Sequence, residues 1–186
     1  ELVIQGNNLR IKSENTVAGL QMDILGISEF ISSVENYTRQ TETGLKVVFV
    51  STEGSLVNDG VIFTSEGLHE HSFENVLISD RNGQELSFTV KMLPEEFALS
   101  QNYPNPFNGN TRINFDLPED AIVNLKVMDI LGNTVKALRK GIVPAGFYTV
   151  LWDGNSDDGS PVSPGEYLCS LKVGVNYHTM KMVVLR

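Results

Sequence analysis

Turn-forming residues interrupt this chain about every eight to twelve positions, and the runs between them are short and rich in β-branched and aromatic residues. Leu20, Met22 and Ile24 alternate with Gln21 and Asp23, so an extended strand here has one apolar face and one polar face. No stretch has the long 3.6-residue periodicity that a crossover helix needs. The pattern predicts an all-β fold and argues against a parallel α/β sheet.

The same pattern predicts a series of strands in each half of the chain. In the first half they are Leu2–Gln5, Leu9–Lys12, Val17–Ile24, Leu45–Val50, Gly60–Thr64, Glu74–Ser79 and Glu85–Val90. In the second half they are Thr111–Asp116, Val123–Met128, Thr134–Leu138, Gly146–Trp152, Gly165–Val173 and Tyr177–Leu185. Ser28–Val34 fits either a helical turn or a strand. We therefore expect two antiparallel β-sandwiches, the second of immunoglobulin-like type.

The balance of basic and acidic residues changes near Leu93-Pro94, where a proline interrupts strand-like sequence. Residues 1–93 carry 6 basic and 13 acidic groups, and residues 94–186 carry 8 and 10. We place a domain boundary there, giving domains 1–93 and 94–186. The net charge of −9 argues against a nucleic-acid partner. The sequence contains no run of about 18 apolar residues, so we expect no membrane-spanning helix. Glu1-Leu2-Val3-Ile4 resembles the middle of a strand region rather than a signal peptide, which predicts a fragment of a longer protein.

Catalytic motifs do not stand out, so we expect no enzymatic activity from these residues. A nucleophile elbow, a zinc-binding His-Glu-x-x-His helix and a phosphate-binding glycine loop are all missing from the sequence. Cys169 lies inside a predicted strand, where a free cysteine more often acts as a small buried hydrophobe than as a nucleophile. His69 and His71 would share one face of an extended segment, but no third metal ligand is identifiable beside them.

The loop after Trp152 carries oxygen ligands at alternate positions, as calcium loops do. The candidate ligands are Asp153, Asn155, Asp157 and Asp158. The register fails, because position twelve counted from Asp153 is Pro164 rather than a bidentate glutamate. An Asx-rich turn between two strands is therefore the favoured interpretation, and no cofactor is predicted.

Aromatic and proline residues mark the start of the second half. Pro104 and Pro106 fix φ and lack an N–H donor, so they predict an extended lead-in that does not continue a ladder. Tyr103 and Phe107 are expected to fold onto the domain as anchors. Trp152 is the only tryptophan in the chain and is expected in the core.

Residues 94–186 resemble the C-terminal sorting domain of the type IX (Por) secretion system. The resemblance rests on motifs in this order: Leu99-Ser100-Gln101-Asn102-Tyr103-Pro104-Asn105-Pro106-Phe107-Asn108, Val127-Met128-Asp129-Ile130-Leu131-Gly132, Ala145-Gly146-Phe147-Tyr148, Trp152-Asp153-Gly154, Pro164-Gly165-Glu166-Tyr167 and Lys181-Met182-Val183-Val184-Leu185-Arg186. Gly109-Asn110, Met128 and Cys169 depart from the usual pattern. The part from Trp152 to Tyr167 is also similar to the immunoglobulin-like domain of flagellar hook-capping proteins.

The resemblance implies recognition rather than catalysis. It implies a protein exported across the outer membrane to the medium or the cell surface, with the outer-membrane secretion machinery as partner. The residues expected to be recognised are Gly165, Tyr167, Lys181 and Arg186. In the terminal strand, Met180, Met182 and Val184 alternate with Lys181, Val183 and Leu185. The strand is expected to be held at its start and freer at its end.

Residues 1–93 weakly resemble cohesin-like sandwiches, through Val17–Ile24 and Asn75–Leu86. An alternative function is a surface adhesin or carbohydrate-binding module with this domain as the binding part and a cell-surface polysaccharide as partner. Another is a hook-cap-like assembly domain. The first alternative requires exposed aromatic residues, and the aromatic candidates are Phe30, Tyr37, Phe49, Phe63, Phe73 and Phe88.

Overall fold

The computed structural model describes residues 1–14, 16–32, 34–51, 59–69 and 72–185, with the backbone alone at Asp59. Within these ranges the chain forms sixteen β-strands and no α-helix, which confirms the all-β prediction. Contacts between Cα atoms divide it into two compact units, Glu1–Leu93 and Pro94–Arg186. No helix in the described part of the chain is long and apolar enough to cross a membrane.

The first unit consists of two sheets that enclose an apolar core. Its strands are β1 Leu2–Gln5, β2 Asn8–Lys12, β3 Gly19–Leu25, β4 Ile31–Ser32, β5 Asn36–Gln40, β6 Gly44–Val50, β7 Asp59–Thr64, β8 Phe73–Ser79 and β9 Val90–Leu93. The sheet orders are β4-β7-β2-β1-β9 and β5-β6-β3-β8. Phe49 of one sheet stacks on Phe63 of the other with 5.8 Å between the ring centroids. The core therefore lies between the sheets, as period-2 alternation requires.

The end of the first unit differs from the prediction. Glu85–Val90 does not form a strand: Glu85 makes one isolated bridge to Ser79, and the next strand begins at Val90. That strand, β9, pairs in parallel with β1, so the unit is not antiparallel throughout. Leu86 and Phe88 still pack against the core. The alternation thus indicated burial correctly, but these residues find no neighbouring strand to pair with.

The second unit is a sandwich of seven strands. They are β10 Ala98–Leu99, β11 Thr111–Leu117, β12 Ala121–Met128, β13 Thr134–Val143, β14 Gly146–Trp152, β15 Gly165–Val173 and β16 Asn176–Val184. The sheet orders are β10-β11-β14 and β13-β12-β15-β16, and all pairs are antiparallel. Phe115 of one sheet is fully buried, as is Leu125 of the other. This arrangement leaves β16 at the edge of the larger sheet.

Candidate functional site

The candidate site is the outer edge of β16 together with the segment Gln101–Phe107, which we call the lead-in segment. Phe107 pairs in parallel with Val184 as an isolated bridge. The N–H of Phe107 donates to the carbonyl oxygen of Val183 at 3.0 Å, and the N–H of Leu185 donates to the carbonyl oxygen of Phe107 at 2.7 Å. The lead-in segment thus covers the end of the edge strand. Its bridges to the sheets are isolated, so the segment continues no ladder, as its two prolines predict.

Amide side chains supply the remaining bonds along this edge. Gln101 Nε2 and Asn105 Nδ2 donate to the carbonyl oxygen of Lys181 at 2.9 and 3.2 Å. Asn105 Oδ1 accepts the N–H of Val183 at 2.8 Å. Pro104 and Pro106, both preceded by cis peptide bonds, have no N–H to offer. Side-chain amides carry both donors and an acceptor, so in this segment they make hydrogen bonds to the edge strand that backbone groups would otherwise make.

A buried polar network fixes the lead-in segment from its inner side. Asn102 and Thr111 are 2% and 1% exposed. Asn102 Nδ2 donates to Thr111 Oγ1 at 2.8 Å and to the carbonyl oxygen of Pro104 at 3.1 Å, and Thr111 Oγ1 donates to the same carbonyl at 2.8 Å. Gln101 Nε2 donates to Asn102 Oδ1 at 2.7 Å. A network satisfied in this way holds one conformation, because breaking any bond leaves a buried polar group unpaired.

Aromatic packing ties the lead-in segment to the core. Phe107 and Trp152 are both 1% exposed, and their rings meet edge to face at 5.4 Å between centroids. Trp152 meets the Tyr167 ring at 5.7 Å, and its Nε1 donates to the carbonyl oxygen of Asn155 at 2.9 Å. The predicted burial of Phe107 and Trp152 is confirmed.

Tyr103 does not act as an aromatic anchor. Its side chain is 78% exposed. What holds this residue is its backbone, which exchanges two hydrogen bonds of 2.9 Å with the backbone of Arg112. The prediction for Tyr103 was therefore wrong, because the backbone and not the ring holds this residue to the domain.

Three of the residues expected to be recognised lie on the neighbouring strands β15 and β16. Gly165 pairs with Val184, and Tyr167 pairs with Met182. The hydroxyl of Tyr167 donates to the carbonyl oxygen of Ser163 at 2.9 Å. Lys181 is exposed, and its Nζ lies 3.0 Å from Glu166 Oε1. The fourth residue, Arg186, lies outside the described residues, and the recognition role of all four stays a prediction.

The terminal strand is held at the opposite end from the one expected. Residues 176–179 are exposed, whereas Met182 is fully buried and Val184 is 5% exposed. The prediction of a strand that is freer at its end was therefore wrong. It treated chain ends as loosely held in general, whereas here the lead-in segment and the core both contact this end.

The calcium candidates do not converge on one point. Asp153 accepts the N–H and the side-chain amide of Asn155, and the first of these bonds is the main reason why the pKa of Asp153 is lowered. Asp158 accepts hydrogen bonds from Ser156 Oγ and from the N–H of Ser160. Among the described residues, no group of three or more His, Cys, Asp or Glu side chains is placed to hold a metal ion. The carboxylates thus serve as acceptors in tight turns.

A lysine ammonium group occupies the same loop. Lys136 Nζ donates to the carbonyl oxygen of Ser156 at 3.1 Å and lies 4.0 Å from Asp157 Oδ1. Asp157 also accepts the N–H of Ala137 at 3.1 Å. The loop is therefore fastened to β13 by the chain's own cation.

The other reactive candidates are not arranged for chemistry. Cys169 is fully buried, and desolvation raises the pKa of its thiol to about 12. A thiol in that state is not a nucleophile at neutral pH. His69 is exposed, and His71 lies outside the described residues, so the paired-histidine hypothesis has no described geometry.

In the first unit, Tyr37 is the only exposed aromatic side chain among the described residues, at 64%. Phe49 and Phe63 are fully buried, and Phe30, Phe73 and Phe88 pack against the core. A groove of about 620 Å³ lies at one end of the β5-β6-β3-β8 sheet. Its lining includes Gln21, Val50, Leu77, Asp80 and Arg81. No exposed aromatic side chain is among the described residues that line it.

Comparison with known proteins gives a family match in the second unit. Residues 100–175 match the FlgD Ig-like domain. A structure of PorZ, described as an essential bacterial surface component of the type IX secretion system of Porphyromonas gingivalis, is 20% identical with a TM-score of 0.35, covering 48% of this chain and 12% of PorZ. A structure of dimeric latent PorU from the same organism is 15% identical with a TM-score of 0.37, covering 100% of this chain and 19% of PorU.

The chain thus spans less than a fifth of the length of these two structures. No curated protein matches it. Residues 100–175 are therefore similar to the FlgD Ig-like domain, and the second unit is an immunoglobulin-like β-sandwich.

Proposed function

We propose that residues 94–186 form a folded sorting signal that the outer-membrane machinery of type IX secretion recognises. The protein that carries this signal is exported across the outer membrane to the cell surface or the medium. Residues 1–93 are a non-catalytic β-sandwich module exported with it. The proposal concerns recognition of a folded surface and requires no cofactor.

One observation carries the proposal. The first and last motifs on which the resemblance rests, around Gln101 and Lys181, are hydrogen-bonded to each other although they lie 80 positions apart in the chain. A signal that is read after folding needs its parts on one surface. The lead-in segment and β16 meet that requirement.

The test is export of a reporter protein fused to residues 94–186 in a bacterium with an intact type IX system. The matching strain lacks the outer-membrane translocon. We expect the reporter at the surface or in the medium in the first strain, and in the periplasm in the second. Retention in the periplasm of both strains would contradict the proposal.

A point variant separates recognition from folding more cleanly than truncation. Deleting residues 181–186 would also remove Met182 and Val184 from the core, so loss of export would not identify its cause. Lys181→Ala leaves the core intact and should lower export. Arg112→Ala removes an exposed cation from the other sheet and should leave export unchanged. Equal export of both variants would show that Lys181 is not part of the recognised surface.

The match to the FlgD Ig-like domain favours a second candidate function, an assembly domain that associates with copies of itself. Light scattering on the purified chain at micromolar concentration distinguishes the two. An assembly domain gives oligomers whose mass rises with concentration. A mass equal to one chain at every concentration argues against it.

A further inference from the structure

The outer face of the β13-β12-β15-β16 sheet carries an excess of lysine. Val123, Leu125 and Val127 of β12 and Cys169 and Leu171 of β15 point into the core, so their neighbours along the strands point outward. The outward charged side chains on the four strands are Lys126, Lys140, Lys172, Lys181 and Glu166. We call this surface the lysine face. It is cationic, although the chain as a whole has a net charge of −9.

Three of these lysines have no carboxylate partner. Lys181 pairs with Glu166. Lys126 Nζ donates to Thr134 Oγ1 at 3.4 Å, a bond to a neutral group. Within the part of the chain that the structure describes, Lys126, Lys140 and Lys172 form no salt bridge. Their charge is therefore available to a ligand.

Hydroxyl groups lie between the lysines at the centre of the face. Ser170 is the cross-strand neighbour of both Lys126 and Thr179, and Lys172 is the neighbour of Tyr177 in the next row. The pKa of Tyr177 is lowered mainly by the Ser170 hydroxyl, and further by Thr179 and by the charges of Lys126 and Lys172. These groups therefore lie on the same face of the sheet as Tyr177.

The face continues into an exposed apolar patch at one end. Ile122 and Ile142, a cross-strand pair, are 69% and 80% exposed. They lie next to the row that contains Lys140. Val175, in the turn between β15 and β16, is 97% exposed. Cations and apolar side chains thus adjoin on one sheet surface.

We propose that the lysine face binds an acidic protein segment, with its carboxylates on Lys126 and Lys172 and its apolar side chains on Ile122, Ile142 and Val175. Charge complementarity selects a carboxylate partner. Side chains on one side of an extended segment repeat about every 7 Å, which is also the spacing between successive rows of this sheet. A sulphated glycan would use the cations and leave the apolar patch exposed, so the combined surface favours a peptide. This proposal does not depend on the sorting function.

The experiment measures binding of the whole purified chain to a fluorescent copolymer of glutamate and tyrosine. The test variant is Lys126→Gln with Lys172→Gln. The control variant, Lys12→Gln with Arg39→Gln, makes the same change in net charge on exposed residues of the first unit. We expect the test variant to weaken binding at least tenfold and the control less than twofold. No binding by the unaltered chain, or equal losses in both variants, would overturn the proposal.

A further variant tests the apolar part of the site. Val175→Ser, at a side chain too exposed to affect folding, should weaken binding of the copolymer but not of dextran sulphate. If Val175→Ser leaves copolymer binding unchanged and dextran sulphate binds more tightly, the face is a site for anionic glycans and the proposal fails. Circular dichroism of each variant checks that the fold is retained.

Discussion

Asn105 and Val183 are joined by a hydrogen bond of 2.8 Å in which the side-chain oxygen of Asn105 accepts the backbone N–H of Val183. The same side chain donates to the carbonyl oxygen of Lys181, so one amide engages two successive outward-facing residues of the edge strand. An asparagine at this position thus stands in for a peptide group that Pro104 and Pro106 cannot provide.

Replacing Asn105 should therefore destabilise the second unit. We expect Asn105→Ala to lower the free energy of unfolding by about 1–2 kcal/mol, because two hydrogen bonds are lost and the N–H of Val183 loses its partner. Urea unfolding followed by Trp152 fluorescence measures the change. Asn108→Ala alters an exposed residue of the same motif and should cost less than about 0.5 kcal/mol. Equal effects of the two variants would contradict the role of Asn105.

Trp152 should contribute more than any polar contact in this unit. Its side chain is 1% exposed and contacts both Phe107 and Tyr167. Trp152→Ala should cost about 3–5 kcal/mol, as other large-to-small core changes do. Trp152→Phe keeps an aromatic ring but loses the bond to Asn155, and it should cost less. Circular dichroism in urea measures both, and a native emission maximum typical of fully hydrated indole would contradict the burial.

Cys169 should report global unfolding. Its thiol is fully buried, and burial raises its pKa to about 12. At pH 8 the native protein should react with Ellman's reagent far more slowly than the protein in concentrated urea, because the thiolate and access to it appear only on opening. Fast stoichiometric reaction of the native protein would show that the β15 region opens independently.

Asp129 should make stability depend on pH in the acid range. Its carboxylate accepts the N–H groups of Leu131 and Asn133 and the side-chain amide of Asn133, and the last bond is the main cause that lowers its pKa from 3.8. A pKa lower in the folded state gives stabilisation that is fully present above pH 3.8 and is lost as the pH falls through the folded-state pKa.

The measurement is the urea midpoint of the chain and of Asp129→Asn at pH 7 and pH 2.5. The difference between the two proteins should shrink at the lower pH. Glu119→Gln, which removes an exposed carboxylate in another turn, serves as the control for net charge. A difference that stays constant with pH would contradict the role assigned to the Asp129 carboxylate.

Lys181→Ala should have little effect on stability. Lys181 and Glu166 are 59% and 56% exposed, and exposed ion pairs contribute less than about 1 kcal/mol. The bonds that fix this part of β16 use the backbone of Lys181, which the substitution keeps. A large loss in thermal denaturation would mean that this variant cannot separate recognition from folding in the export test.

Strands could be predicted from the sequence where apolar side chains alternate. They could not be predicted where only backbone pairing with a neighbouring strand defines them. Strands such as β11 were predictable because Ile113, Phe115 and Leu117 mark a buried face. Strand β5, Asn36–Gln40, was missed because most of its residues are exposed, so it has no apolar period. The opposite error occurred at Leu86 and Phe88, where a strand was predicted. These residues pack against the core but do not belong to a strand.

The candidate site was predictable in outline only. The lead-in motif indicated the right segment, but its prolines and aromatic residues do not show that amide side chains hold it in place. Gln101, Asn102 and Asn105 carry the bonds, and the signal that could have found them is that a segment containing two prolines lacks N–H donors. Tertiary pairing of residues 80 positions apart is not contained in any local pattern.

The covered edge of β16 also bears on how this domain behaves at high concentration. An uncovered edge strand offers a row of free backbone groups to which another chain can add, and this is a common start of aggregation. Because Phe107 and Asn105 already occupy the groups of Lys181, Val183 and Leu185, the C-terminal end of this edge is closed to such addition. Removing the lead-in segment would therefore expose this end of the edge strand and favour edge-to-edge polymerisation.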